Sequence, residues 1–166
     1  MRGATRPVPP SEALARLESL CASAERCTWE VRAKLRRWSV SADEAERIIE
    51  SLQKRHFLND ERFARAFVRD RLRFARWGKL KIRAALYAKH VPLWMVDEAM
   101  TEIDDDEYLG ALITVLTARA RAMGEEARTY DGRTRLFRYA ASRGYELSLI
   151  ASTIRNPAFW ASLPCP

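Results

Sequence analysis

Five arginines recur at helical spacing through one stretch of the chain: Arg62, Arg65, Arg69, Arg73 and Arg76. At about 100° per residue they fall within an arc of roughly 80° on a helix, with Phe63, Ala64, Phe67, Phe74 and Ala75 on the other side. A guanidinium is always charged and forks two hydrogen bonds towards an oxyanion, so this ladder suits carboxylates or phosphates. Lys79, Lys81, Arg83 and Lys89 continue it, and residues 62–89 hold ten basic residues against one acid, Asp70. A charge run is usually only a solvated face, but here almost no interleaved acid is at hand to pair with it. Arg71 stands apart, because the same projection puts it among the apolar positions. There, partial burial and an acid partner such as Asp60 are expected. Phe63, Phe67 and Phe74 are expected in the core rather than as a platform for stacked bases. Trp29, Trp38, Trp77 and Trp94 lie near predicted helix ends, where partial exposure is expected.

Bond-making chemistry finds little support. The chain has two histidines, His56 and His90, and neither a glycine-rich phosphate loop nor a nucleophile motif. No plausible set of metal ligands is present, and no cofactor is implied. Asp104, Asp105, Asp106 and Glu107 are consecutive acids that cannot converge on one ion; capping a helix explains them better. Cys21, Cys27 and Cys165 form no CxxC pair and leave an odd thiol, which fits a reducing cytoplasm and neither a zinc site nor a disulfide framework.

A net charge of +7 and a pI near 9.7 over 166 residues point to a polyanionic partner. The first residues lack the apolar run of a signal peptide, and residues 109–118, the longest weakly polar run, are too short to span a bilayer. A soluble cytoplasmic monomer without a membrane partner is expected.

Helices must position these residues. Residues 1–10, with Pro7, Pro9 and Pro10, read as a mobile tail to which Arg2 and Arg6 add charge. Ser11 reads as the cap of a first helix carrying Ala13, Leu14, Leu17 and Leu20. A second helix over 28–38 buries Val31 and Leu35, and Ser41 with Glu44 opens a third over Ala45, Ile48, Ile49 and Leu52. Asn59 and Asp60 are cap candidates for a long helix that runs to Trp77 and is stopped by Gly78. Further helices are expected over 79–90, from Pro92, and over 108–123, 133–143 and 146–155. Residues 124–131 read as a loop, and the ending NPAFWASLPCP as too short and proline-rich for another element. No stretch alternates as a strand would, so the fold class is all-α.

The helices repeat. Leu35, Leu86 and Ala140 align, as do Val31, Ile82 and Leu136, then Val40, Val91 and Tyr145, with Gly78 and Gly132 equivalent at helix starts. The offsets are 51 (86 − 35) and 54 (140 − 86) residues. Three tandem three-helix modules follow, 11–57, 58–103 and 104–156, between tails 1–10 and 157–166. They are expected to form an elongated, curved array.

The chain resembles the RecX family of bacterial recombination regulators. The match is clearest in LNDERFARAFVRDRL (58–72) and WGKLKIRAAL (77–86), and it extends over about residues 27–155. The family's Asp-x-Arg-Phe-Ala run falls on Asp60, Arg62, Phe63 and Ala64, its later aromatic on Phe67 and its downstream arginine on Arg71. Gly78, Ile82 and Leu86 match the start of the next helix, and Arg143, Gly144 and Tyr145 the last turn. His90 and Ser39 stand where the family tends to glycine, which leaves the geometry of those two turns open. The resemblance implies a non-enzymatic protein that binds the RecA recombinase filament along its groove and inhibits or destabilises it. Strand exchange, ATP hydrolysis by RecA and self-cleavage of the SOS repressor would all be limited. The basic residues alone are equally served by a helical DNA-binding protein acting through phosphates without base specificity.

Overall fold

The computed structural model describes residues 7–163, and every regular element among them is helical. The elements are α1 (Pro10–Ser23), α2 (Thr28–Arg37), α3 (Ala42–Lys54), α4 (Asp60–Arg73), α5 (Lys79–Ala88), α6 (Leu93–Met100), α7 (Asp105–Met123), α8 (Tyr130–Ser142), α9 (Leu147–Arg155) and α10 (Pro157–Ala161). A 3-10 turn, Gly124–Arg128, precedes α8. The chain is therefore all-α.

Short polar side chains fix where the helices begin, because each supplies an acceptor to an otherwise unpaired N–H of the first turn. Ser41 accepts from the Glu44 N–H, Asn59 from that of Arg62, and Asp104 from that of Glu107. Asp104 caps α7 while Asp105, Asp106 and Glu107 fill its first turn, where negative charge is favourable. Several starts differ from the sequence expectation. Pro10 heads α1 in place of a Ser11 cap, since proline at a first helical position loses no hydrogen bond. The Val8 N–H donates to the Trp38 carbonyl at 3.0 Å, so part of the expected tail is bound; residues 1–6, including Arg2 and Arg6, lie outside the described residues. Thr129 accepts from the Gly132 N–H and starts α8 within the expected loop.

The ending is not featureless. Asn156 caps α10 and Pro157 occupies its first turn. Phe159 and Trp160 are buried, and the indole N–H of Trp160 donates to the Ile154 carbonyl at 2.7 Å. The Arg133 guanidinium lies 4.9 Å from the Trp160 ring centre. The two aromatic residues give even a five-residue helix something to bury, which its proline content concealed.

At the three positions that the repeat aligns, one turn recurs with the same bond. The amides of Val40, Val91 and Tyr145 donate to the carbonyls of Leu35, Leu86 and Ala140, at 3.1, 3.2 and 3.3 Å. The residue before each has a left-handed backbone: Ser39 (φ 57°), His90 (φ 54°) and Gly144 (φ 91°). Ser39 and His90 thus keep the turn a glycine would make, at a cost of about 1–2 kcal/mol each.

The chain divides into two compact units: residues up to Ala66 with Leu86–Asp97, and Phe67–Ala85 with residues from Glu98 onward. In the first, Ala13, Leu17, Cys21, Val31, Leu35, Ala45, Ile48, Ile49, Leu52 and Leu58 form one buried cluster. In the second, α7, α8 and α9 pack in sequence, with α10 against α9. Tyr108 and Tyr145 are buried there with ring centres 5.3 Å apart.

Candidate partner-binding face

Helix α4 begins as the spacing predicts. Phe63, Ala64, Phe67, Val68 and Leu72 are buried, Arg62, Arg69 and Arg73 are exposed, and Arg65 is half-buried. The ladder ends at Arg73, however, because α4 ends there. Arg76 lies beyond it in a left-handed conformation (φ 53°), so it does not extend the helical row.

Acids from elsewhere in the chain neutralise much of the expected positive face, contrary to the expectation of few partners. In the first unit Arg62 pairs with Glu25 at 2.6 Å, Arg65 with Glu61 at 2.8 Å and Lys89 with Glu30 at 2.5 Å. The Lys89 ammonium also lies 5.7 Å from the Trp29 ring centre and 5.9 Å from that of Phe63. In the second unit Arg73 grips Glu107 with two nitrogens, at 2.7 and 3.4 Å, and Lys79 pairs with Asp105 at 3.3 Å. Exposed pairs of this kind contribute about 0–1 kcal/mol each, but they leave less charge for a partner. Arg83 is half-buried and engaged. Among the described residues, no acid lies within ion-pair distance of Arg69, Arg71, Arg76 or Lys81.

Arg71 departs from its expected role. Its side chain is exposed, and the guanidinium rests 4.9 Å from the Phe67 ring centre and 5.0 Å from that of Trp77. The helical projection correctly places it over Phe67, four residues back, but a long stem carries its charge out to water while rings occupy its flat faces. Asp60, the acid expected beside it, accepts instead from the Thr28 N–H at 2.6 Å, at the start of α2. Phe74 is likewise no core residue: it is 82% exposed. The helix stops one residue before it, so the projection that put it with Phe63 and Phe67 no longer applies.

Gly78 does not act as a left-handed stop. It is buried, its N–H donates to the Arg143 carbonyl at 2.8 Å, and a Cβ there would sit 2.2 Å from the Gly144 carbonyl carbon and oxygen. Leu80 N–H continues the join by donating to the Gly144 carbonyl at 3.0 Å. Tyr145 donates its hydroxyl to the Arg76 carbonyl at 3.2 Å, and Arg143 donates to the carbonyl of Ala75. Tyr108 accepts from the Lys79 N–H and donates to Glu146 at 2.6 Å. Ile82 and Leu86, the remaining residues of the family pattern, are fully buried. Glycine at 78 and the Arg143, Gly144 and Tyr145 set therefore form one join of two turns 66 residues apart (144 − 78), which periodicity could not reveal.

Burial governs the shifted tyrosines and thiols. Burial raises Tyr108 far above its ordinary range, assisted by its bond to Glu146, and pushes Tyr145 up to about 12. Cys27 is buried and its thiol is pushed up to about 11, the opposite of an activated nucleophile. Cys21 is buried and free as well; Cys165 lies outside the described residues. Among the described residues no three His, Cys, Asp or Glu side chains gather to hold a metal ion, and no helix is long and apolar enough to cross a membrane.

Comparison with known proteins places this segment. A family model described as "RecX, second three-helix domain" matches residues 59–100. The regulatory protein RecX of Clostridium perfringens (strain SM101 / Type A) is 32% identical over 128 residues, which cover 76% of this chain and 59% of the relative. That of Clostridium botulinum (strain Eklund 17B / Type B) is 30% identical over the same shares. The match thus spans about three fifths of the length of these relatives. Among solved structures, RecX from Lactobacillus salivarius superposes with a TM-score of 0.74 at 19% identity, over 86% of this chain and 92% of that one. A second crystal structure, of a regulatory protein RecX, gives 0.77 at 16% identity over 86% and 71%. At such identities these two show the fold alone.

Proposed function

Because the chain belongs to the RecX family, we propose that it is a non-enzymatic regulator that binds the RecA recombinase filament in the cytoplasm and inhibits or destabilises it. Recombination, DNA repair and the SOS response are then the processes it restrains. The observation that supports this most is the placement of the cations left without acids, Arg69, Arg71, Arg76 and Lys81, inside the very segment that matches the family's second three-helix domain. Three modules, 11–57, 58–103 and 104–156, supply the frame in this reading, and several modest contacts along a filament act together as one strong one. The protein works as a monomer, without cofactor or metal.

The uncompensated cations also support a second reading, sequence-independent DNA binding through phosphates. Titration of the chain against a RecA–DNA filament and against the same DNA bare separates the two. Much tighter binding to the filament is expected; tighter binding to bare DNA would transfer the proposal to the second reading. Charge reversal at Arg69, Arg76 and Lys81 together should abolish inhibition of the filament with helicity intact. Arg65 and Arg73 suit this experiment less well, because they hold Glu61 and Glu107.

A further inference from the structure

Residues 71–77 close on themselves, with the Trp77 N–H donating to the Arg71 carbonyl at 3.0 Å. From the far side the turn is held by Arg143 on the Ala75 carbonyl, by the Tyr145 hydroxyl on the Arg76 carbonyl and by Gly78 N–H on the Arg143 carbonyl. Arg76 is kept in a left-handed conformation that is disfavoured for a residue with a Cβ. At the middle of this fixed turn stands Phe74, 82% exposed. Exposed Arg69, Arg71 and Arg76 accompany it along the chain. Arg71 and Lys81 both lie against the Trp77 ring, at 5.0 and 4.7 Å from its centre, which holds their charges beside the turn. None of the four cations has an acid partner among the described residues.

A flat apolar ring held in water and accompanied by cations is the combination by which proteins hold a single strand, with one base on the ring and the neighbouring phosphates on the charges. A duplex receives such a ring only by unstacking a base step, a cost that a single strand does not carry. An acidic peptide would satisfy the cations, but an apolar anchor binds strongly by entering a pocket, and Phe74 projects from a turn. We propose that residues 69–81 form a single-stranded nucleic-acid contact in which Phe74 stacks on one base and Arg69, Arg71, Arg76 and Lys81 meet the phosphates around it. It deepens the regulator reading, and rests on that reading only for what brings a single strand within reach, namely the filament's own DNA.

Fluorescence anisotropy with the full chain tests this, using labelled oligo(dT), an abasic oligomer of equal length, a blunt duplex and oligo-glutamate. Phe74→Leu removes the ring but keeps apolar bulk at an exposed site, and a helical circular dichroism spectrum with an unchanged melt confirms its fold. Loss of one stacked base at 1–3 kcal/mol predicts oligo(dT) affinity about 5- to 150-fold weaker in Phe74→Leu. Phe74→Trp should restore it, duplex affinity should not change, and the wild-type chain should bind the abasic oligomer no better than Phe74→Leu binds oligo(dT). Arg71→Glu with Arg76→Glu should flatten the log–log salt dependence by roughly 1.4, two phosphates at about 0.7 each. Unchanged oligo(dT) affinity in Phe74→Leu overturns the proposal, as does an equal loss on duplex. Tight binding of oligo-glutamate that weakens alike in Phe74→Leu overturns it in favour of an acidic protein partner. A wild-type chain that binds oligo(dT) through Phe74 yet leaves filament ATP hydrolysis untouched supports this contact and counts against the regulator reading.

Discussion

Gly78 and Gly110 both lack a side chain, but only one of them lacks room for one. A methyl at Gly78 would meet Gly144 backbone at 2.2 Å, and backbone cannot turn aside as a flexible side chain can. Gly78→Ala is expected to destabilise the protein by roughly 3 kcal/mol, seen as a lower urea midpoint. Gly110 sits within α7 with nothing within 4 Å of an added Cβ, so Gly110→Ala should stabilise by about 0.5–1 kcal/mol in the same measurement. Equal effects from the two would mean that the join of Gly78 to Gly144 is loose. Single residues were also where reading from sequence alone reached least far. Arg71 lies over Phe67 as its spacing indicates, yet whether its head group meets an acid or a ring depends on Trp77, which approaches only after the chain turns. Periodicity assigns Phe74 to the core, but the helix that carries the periodicity ends one residue earlier. The acids Glu25, Glu30, Asp105 and Glu107 reach the basic stretch from outside it, so counting charge within residues 62–89 could not foresee them.

Elements were far more legible, because capping residues and apolar spacing act locally. Ser41, Asn59 and Asp104 mark their helix starts by a mechanism that needs no tertiary knowledge. The recurring turn was legible through its apolar register, while its left-handed residue was not, since serine and histidine replace glycine in two of the three. At Ser39, exposed and with φ 57°, Ser39→Gly should raise stability by about 0.5–1 kcal/mol. At His90 the gain should be smaller, because the ring it would lose stacks on Trp29 with centres 6.2 Å apart. Chemical denaturation of the two variants side by side checks the order, and a loss of stability in Ser39→Gly would contradict the turn's geometry. Helix α10 shows the opposite case, a short proline-headed segment defined by what it buries. Trp160→Ala should cost about 3 kcal/mol or more and release the helix to amide exchange.

For the molecule as a whole, the pattern of charge separates what serves the fold from what is left to meet a partner. Tyr108 and Tyr145 belong to the fold. Burial raises both above the ordinary tyrosine value of 10, so their contribution to stability is complete below pH 10; that of Tyr145 is lost as pH rises from there to about 12, and that of Tyr108 persists to higher pH still. Tyrosinate absorbance should therefore show these two ionising only as helical signal disappears; ionisation together with the exposed tyrosines in a still-helical protein would refute their burial. Of the five ion-paired cations of the basic stretch, Arg73 and Lys79 tie α4 and α5 to α7, whereas Arg69, Arg71, Arg76 and Lys81 have no acid partner among the described residues and are proposed to bind. The most direct test of that division, and of the proposed regulator, is RecA's DNA-dependent ATP hydrolysis measured against added protein at several salt concentrations. The account predicts saturable inhibition that weakens as salt screens the exposed cations and disappears when Arg69, Arg76 and Lys81 are reversed to glutamate. Hydrolysis that continues undiminished under excess wild-type protein at low salt would contradict it.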